Sequence, residues 1–284
     1  MANETTSTTL NDLIQAAIAE ATLTQSQGAD LTQTVRTMDV PRGKSGVIFP
    51  DFDSETAATV AEGTDLSNTA FSTGGSTISC GEVGVQLTLT DVADWQSQPA
   101  NVGAQLGEVA RDAINSEKTQ AIYALLGGFS TAIGSSNTNI TEALILQGAR
   151  TLKGARAPKP FYLVCTPHVA EDVSSLYATS TSVTSEQIRR LVLDEGQLPP
   201  IHGVTLLEVD NLAPGSGSGG IDEADTNTGI YSPGAIGLAL GYDLRIEQER
   251  DASLRASELV FTSFYGVGEI KDSYGVELLV DNAD

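Results

Sequence analysis

Asp51, Asp53, Glu55 and Glu62 stand at positions one, three, five and twelve of a calcium-loop spacing, a pattern that can bring carboxylate oxygens together around a hard cation. The sixth position of such a loop needs glycine for its sharp turn, and this chain has Thr56 there, with no helix expected on either side. These four are weak metal candidates and read better as a solvated acidic loop. Gly43-Lys44-Ser45 ends like a phosphate-binding P-loop, but Met38 stands where that motif requires its first glycine and no buried strand precedes it. Gly215 to Gly220 matches GxGxxG letter for letter. Asn211 to Pro214 separate it from the preceding strand, and the stretch after it is too polar to open a helix, so it reads as a linker.

Hydrolytic chemistry has no better support. The two histidines, His168 and His202, belong to no HExxH pattern and stand near no GxSxG elbow. Cys80 and Cys165 have no metal-ligand or CxxC spacing and read as small buried apolar residues. No catalytic residue, cofactor site or metal site is assigned from the sequence.

Charge narrows the classes further. The formal net charge is −22, with no Lys or Arg between Ser45 and Ala110 or between Leu191 and Leu244. Affinity for nucleic acid comes chiefly from Lys and Arg neutralising phosphates, so a surface-wide nucleic-acid role is disfavoured. No apolar run is long enough to span a bilayer and Met1 to Leu10 is polar, which predicts a soluble protein made in the cytoplasm.

The elements that would carry these residues follow from periodicity. Leu10, Leu13, Ile14, Ala17, Ile18 and Ala21 recur at helical spacing, predicting a short amphipathic helix with Thr9 as its cap. From Val40 to Trp95 the pattern is strands and glycine turns. Val83, Val85, Leu87 and Leu89 alternate in one parity, Ile78 and Cys80 in the other, which predicts a bulge near Gly81. This excursion carries little apolar material on its second face, too little to be stable alone. Val102, Leu106, Val109, Ala110, Ala113, Ile114, Ala121, Ile122 and Leu125 then form a helical stripe up to Gly127-Gly128, a helix of about 40 Å.

Between Thr141 and Asp210 the expected order is helix, strand, helix, helix, strand. Thr141 is a cap, Phe161 to Cys165 an apolar strand, Thr166-Pro167 a cap with proline in the first turn, and Thr184 with Gln187 a capping box. Leu198 to Gly203 then turns into a strand over Val204 to Val209, and Gly215 to Asp225 is an exposed flexible loop. Ile236, Leu238, Leu240, Tyr242, Leu244 and Ile246 share one parity over an unusually long strand, followed by strands over Leu259 to Val267 and Tyr274 to Val280. Such a sheet must close against something, and the long helix is the nearest apolar surface.

This order of an arm, a thin acidic hairpin, a spine helix, an α/β unit and returning long strands resembles the major capsid proteins of tailed phages, the Hong Kong 97-like fold. The local echoes are Val85 to Asp94 entering the helix, Phe161 to Pro167, Leu198 to Leu212 and Leu259 to Gly266. The resemblance implies an α+β chain divided into an N-terminal arm (1–39), an E-loop hairpin and approach to the spine helix (40–95), a P-domain with that helix (96–135), an A-domain (136–230), and returning P-domain strands with the C-terminal strand (231–284).

It also implies a structural protein of the virion with no enzymatic activity, self-assembling as hexamers and pentamers into an icosahedral shell that encloses double-stranded DNA non-specifically. A scaffolding protein and a portal are implied partners, a decoration protein a further one, and a membrane none. In that family the E-loop lies across a neighbouring subunit. Asp51, Asp53, Glu55 and Glu62 would then face Arg111, Lys118, Arg245, Arg250 and Arg255 of an adjacent copy, with Leu10, Leu13, Ile14, Ala17 and Ile18 meeting the scaffold. Some relatives join an E-loop lysine to a neighbour's asparagine, but here only Lys44 lies near that loop, so covalent crosslinking is not expected. Two alternatives remain: an encapsulin-type nanocompartment shell on the same architecture, and an acidic metal-dependent enzyme.

Overall fold

The computed structural model describes residues 30–52, 73–92, 102–135, 138–179, 198–209 and 225–281, with positions 57, 59, 60, 62, 63 and 65. In chain order its strands are β1 (Arg36–Asp39), β2 (Gly46–Phe52), β3 (Thr73–Ser79), β4 (Gly81–Thr90), β5 (Ala132–Gly134), β6 (Phe161–Cys165), β7 (Val204–Glu208), β8 (Asp225–Tyr231), β9 (Ile236–Asp251), β10 (Ala256–Glu269) and β11 (Gly275–Asp281). The helices are α1 (Val102–Ala124), α2 (Glu142–Gly154) and α3 (Pro167–Thr179). The expected helix over Leu10 to Ala21, the Thr184 and Gln187 box and the Gly215 to Gly220 loop lie outside the described residues.

The long strands form a sheet in the order β1-β9-β10-β4, in which β1 runs parallel to β9 and the other neighbours are antiparallel. Alternation leaves one face apolar, and α1 covers it: Ala110 and Ile114 pack on Leu259 and Phe261, with Val85, Leu87, Leu244 and Ile246 around them. The helix has 23 residues and is about 35 Å long. Its stripe is wider in the sequence than in contact, because Val109 and Ala113 are exposed.

The single parity expected for Ile236 to Ile246 is corrected at its centre. The β9–β10 register shifts on both sides of Phe264, so β9 carries extra residues there. A bulge re-aims the side chains that follow it. Tyr242 consequently stacks on Phe264, their ring centroids 5.9 Å apart, while Leu240 packs beside Tyr265 in the core under α1. Gly241 sits at the same place, where a Cβ would fall 2.4 Å from the Phe264 ring.

The bulge expected near Gly81 is also corrected. Cys80 is a break between two strands that belong to different sheets: β3 pairs with β2 as a two-stranded finger, and β4 pairs with β10. The parity change therefore marks a change of partner. The base of the finger is not bare. Phe49 and Ile78 are buried against Val40 and Ala239, and Ser76 Oγ donates to the Ile270 carbonyl at 3.2 Å. Gly266 permits the crossing, since a Cβ there would lie 2.1 Å from the Ser79 carbonyl oxygen.

The remaining strands form a mixed sheet ordered β5-β11-β8-β6-β7. Thr141 Oγ1 accepts from the Leu144 amide and starts α2, which covers one face with Ile145, Ala149 and Leu152; α3 adds Val169 and Val173. His202 and Gly203, both at positive φ, make the two-residue turn into β7, with Ile201 and Val204 exchanging both backbone hydrogen bonds. The second face meets the end of α1 through Ile122, Leu126, Val164 and Tyr231, a core that also contains Leu31 and Leu238 and so joins the two sheets. Sheet membership is interleaved along the chain: β5 lies just after the spine helix and β11 at the chain's end, yet both belong with β6, β7 and β8.

Candidate intersubunit interface

The turn between β9 and β10 is the far tip of the long sheet, and local chemistry makes it rigid. Asp251 Oδ1 accepts from the Ser253 amide at 2.8 Å, the Ser253 hydroxyl at 2.7 Å and the Leu254 amide at 3.0 Å. The Ser253 hydroxyl first, then the two amides, hold the Asp251 carboxyl below its usual range. Arg250 clamps Asp91 through two parallel hydrogen bonds, Nη1 to Oδ1 at 2.6 Å and Nη2 to Oδ2 at 2.7 Å, the fork geometry a guanidinium favours. That hydrogen bond is the main cause of a lowered Asp91 and a raised Arg250. The Asp91 amide also donates to the Arg255 carbonyl at 2.9 Å, tying the end of β4 to the turn. Around this frame Leu254 is 53% exposed and Val92 60% exposed, with Arg255 exposed beside them at positive φ.

The candidate contact residues are distributed unevenly. Arg245 pairs with Glu247, two residues along the same strand, and both are largely exposed. Arg111 is half-buried on α1. Asp51, at the end of β2, meets Lys271 of its own chain at 2.9 Å, so the finger base is tied down by charge as well as by Phe49. Asp53 and Glu55 lie outside the described residues, and Glu62 is exposed in a turn next to Val60, which is 46% exposed. Lys118 is 2% exposed, and its ammonium is paired with Asp243 of the same chain and lies 5.5 Å from the centre of the Tyr265 ring, so its charge is already met within its own chain. The bulged course of β9 brings Asp243 to Lys118. Among the described residues no group of three or more His, Cys, Asp or Glu side chains is arranged to hold a metal ion.

Sequence reasoning missed the apolar members of this surface. Leu254, Val92 and Val60 are isolated aliphatics in polar stretches, and single exposed aliphatics are ordinary. Their meaning comes from company: Leu254 and Val92 flank one braced turn, and Val60 sits among Glu62 and Asp65.

No protein-family model matches the sequence, and neither does any curated protein. Solved structures do match. The capsid of cyanophage P-SCSP1u superposes with a TM-score of 0.70 over 92% of this chain and 91% of its own, at 15% identity. The acid-stable capsid of Helicobacter pylori bacteriophage KHP30 gives 0.67 over 87% and 88%, at 13% identity. A virus-like particle from Pyrococcus furiosus gives 0.59 over 95% and 99%, at 11% identity. The chain thus has the mixed helix-and-strand fold of phage capsid proteins along essentially its whole length.

Proposed function

We propose that this chain is the major subunit of an icosahedral phage-type head, forming hexamers and pentamers around double-stranded DNA in the virion, after assembly in the host cytoplasm. The observation that carries this reading is the extent of the fold match to the cyanophage capsid, more than nine-tenths of both chains. A shell role needs burial and charge pairing between copies and no catalytic group, consistent with a non-enzymatic protein. On this reading the β2–β3 finger belongs to the E-loop, the β1-β9-β10-β4 sheet with α1 to the P-domain, and the five-stranded sheet to the A-domain. Scaffolding protein and portal are the expected partners, with the segment Leu10 to Ala21 as the scaffold contact.

Between copies, the acidic outer finger of one subunit, whose sequence includes Asp53, Glu55, Glu62 and Asp65, lies on the braced tip of the next, with Arg245 and Arg255 near Leu254 and Val92. The finger region contains no cation from Ser45 to Ala110, so opposite charge favours the tip over another finger. Electron microscopy of the purified protein, with and without a co-expressed scaffold candidate, tests the reading. Closed shells support it; a protein that remains a monomer under both conditions overturns it. The Pyrococcus furiosus particle favours a second reading, a nanocompartment shell on the same fold. Purified particles would then contain protein cargo in place of DNA.

A further inference from the structure

We propose that Glu277 is a pH-responsive weak point of the five-stranded sheet, which closes around a neutral carboxyl and loosens between β5 and β11 when that carboxyl ionises. Glu277 is in β11, between β5 and β8, and is only 4% exposed. Its Oε1 is sealed from solvent with no hydrogen-bond partner. The register explains why. The residues opposite it are Ala132 on β5 and Gly229 on β8, and its same-face neighbours along β11 are Gly275 and Leu279. None of the four has a side-chain donor. Leu126 lies against Gly229, so the same side of the sheet is closed by an aliphatic group.

The surrounding charges do not compensate. On β8, Tyr231 has its hydroxyl committed to Thr34 at 2.5 Å, and Asp225 stands at the strand end opposite Asp281. β5 has no titratable residue, and neither has the turn over Leu126–Gly128. In the segment that leads into β5, Ser130 is hydrogen-bonded to Asp272, another acid. At the end of α1, Tyr123 joins Tyr231 and Tyr265 in the joining core, with Tyr162 and Tyr274 packed against it. α2 packs on the other face of β11 through Ile145 and Leu152, and Glu142, Arg150 and Lys153 belong to that side. A buried carboxyl with an oxygen left unpartnered favours its neutral form, and burial raises Glu277 above the usual carboxylate range.

The consequence has a definite sign. A carboxyl raised on folding contributes stability that is fully present below its unfolded value, about 4.3, and is lost as pH rises through its folded value. Carboxylates held by donors, such as Asp91, act in the opposite direction. Thermal unfolding of the full chain and of Glu277→Gln between pH 5 and 9 tests the proposal, because the amide keeps the shape and removes the titration. The expected result is a wild-type midpoint that falls relative to the variant as pH rises. Parallel curves overturn the proposal. Should the variant fail to fold, carbon-13 titration of the glutamate carboxyls in the wild-type chain decides. The carboxyl assigned to Glu277 is expected to titrate above the ordinary glutamate range, as burial also makes Glu269 do, with faster exchange of β11 amides as Glu277 ionises; an ordinary value at Glu277 overturns it. Neither measurement requires shell assembly, so the result is independent of the function proposed above.

Discussion

The five-stranded sheet and the finger-with-tip region spend similar residues in different ways. The first covers Leu163, Val276 and Leu278 with α2 and α3, and its second face with the end of α1. The second region is braced but less covered: among the described residues the finger is buried at Phe49 and Ile78, and the tip holds its turn by hydrogen bonds while leaving Leu254 and Val92 in solvent. Local order and burial are therefore separable. Backbone and carboxylate hydrogen bonds can fix the shape of a surface without hiding it, which is what a contact between copies requires.

The sharpest way to break this contrast is in the closed unit. Leu163→Ala should cost about 3 kcal/mol in chemical denaturation, since its surroundings are packed on both sides and cannot collapse fully into the cavity. Next, Gly266→Ala should cost about 2 kcal/mol, because the new methyl meets backbone at the crossing from finger to sheet and not a flexible side-chain end. Phe49→Ala should act more locally: limited proteolysis should show the finger cut sooner, with a smaller shift of the main unfolding transition than Leu163→Ala produces. A full-sized global shift would mean the finger is part of the subunit's core.

Replacing Arg245, Arg250 and Arg255 together by Ala should leave the unfolding midpoint almost unchanged, since exposed ion pairs contribute little. Assembly yield and its salt sensitivity should nevertheless drop, as light scattering across a salt series would show. Unchanged assembly would refute the pairing of finger and tip. The smallest effect concerns acid. Asp91 and Asp251 are held below their usual range, so their contribution is present above the ordinary aspartate value near 3.9 and fades as pH falls through the folded values. Asp91→Asn should flatten the acid limb of the stability curve slightly.

Much of this fold was legible in local patterning. The stripe of α1, the Thr141 cap, the apolar run Phe161 to Cys165 and the alternation of β4 are each set by neighbours within a few residues, where period and capping chemistry suffice. The acidic finger was legible too, because a charge count needs no structure. The candidate interface was legible only in its charges. Its apolar members and the bracing of Asp91 by Arg250, 159 residues apart, were not.

What the sequence by itself determined was the kind and order of many of the described elements, though not β1, β5 or β8, together with the one-signed charge of the finger and the poor case for catalysis. Only the tertiary structure decided that Cys80 separates two sheets, that a bulge turns Asp243 toward Lys118, and that β5 and β8 flank a carboxyl whose Oε1 has no hydrogen-bond partner. The physical reason is range. Periodicity and capping act between residues a few positions apart, whereas strand partnership, register and burial depend on which distant segment arrives alongside, and that is settled by closing the whole core at once.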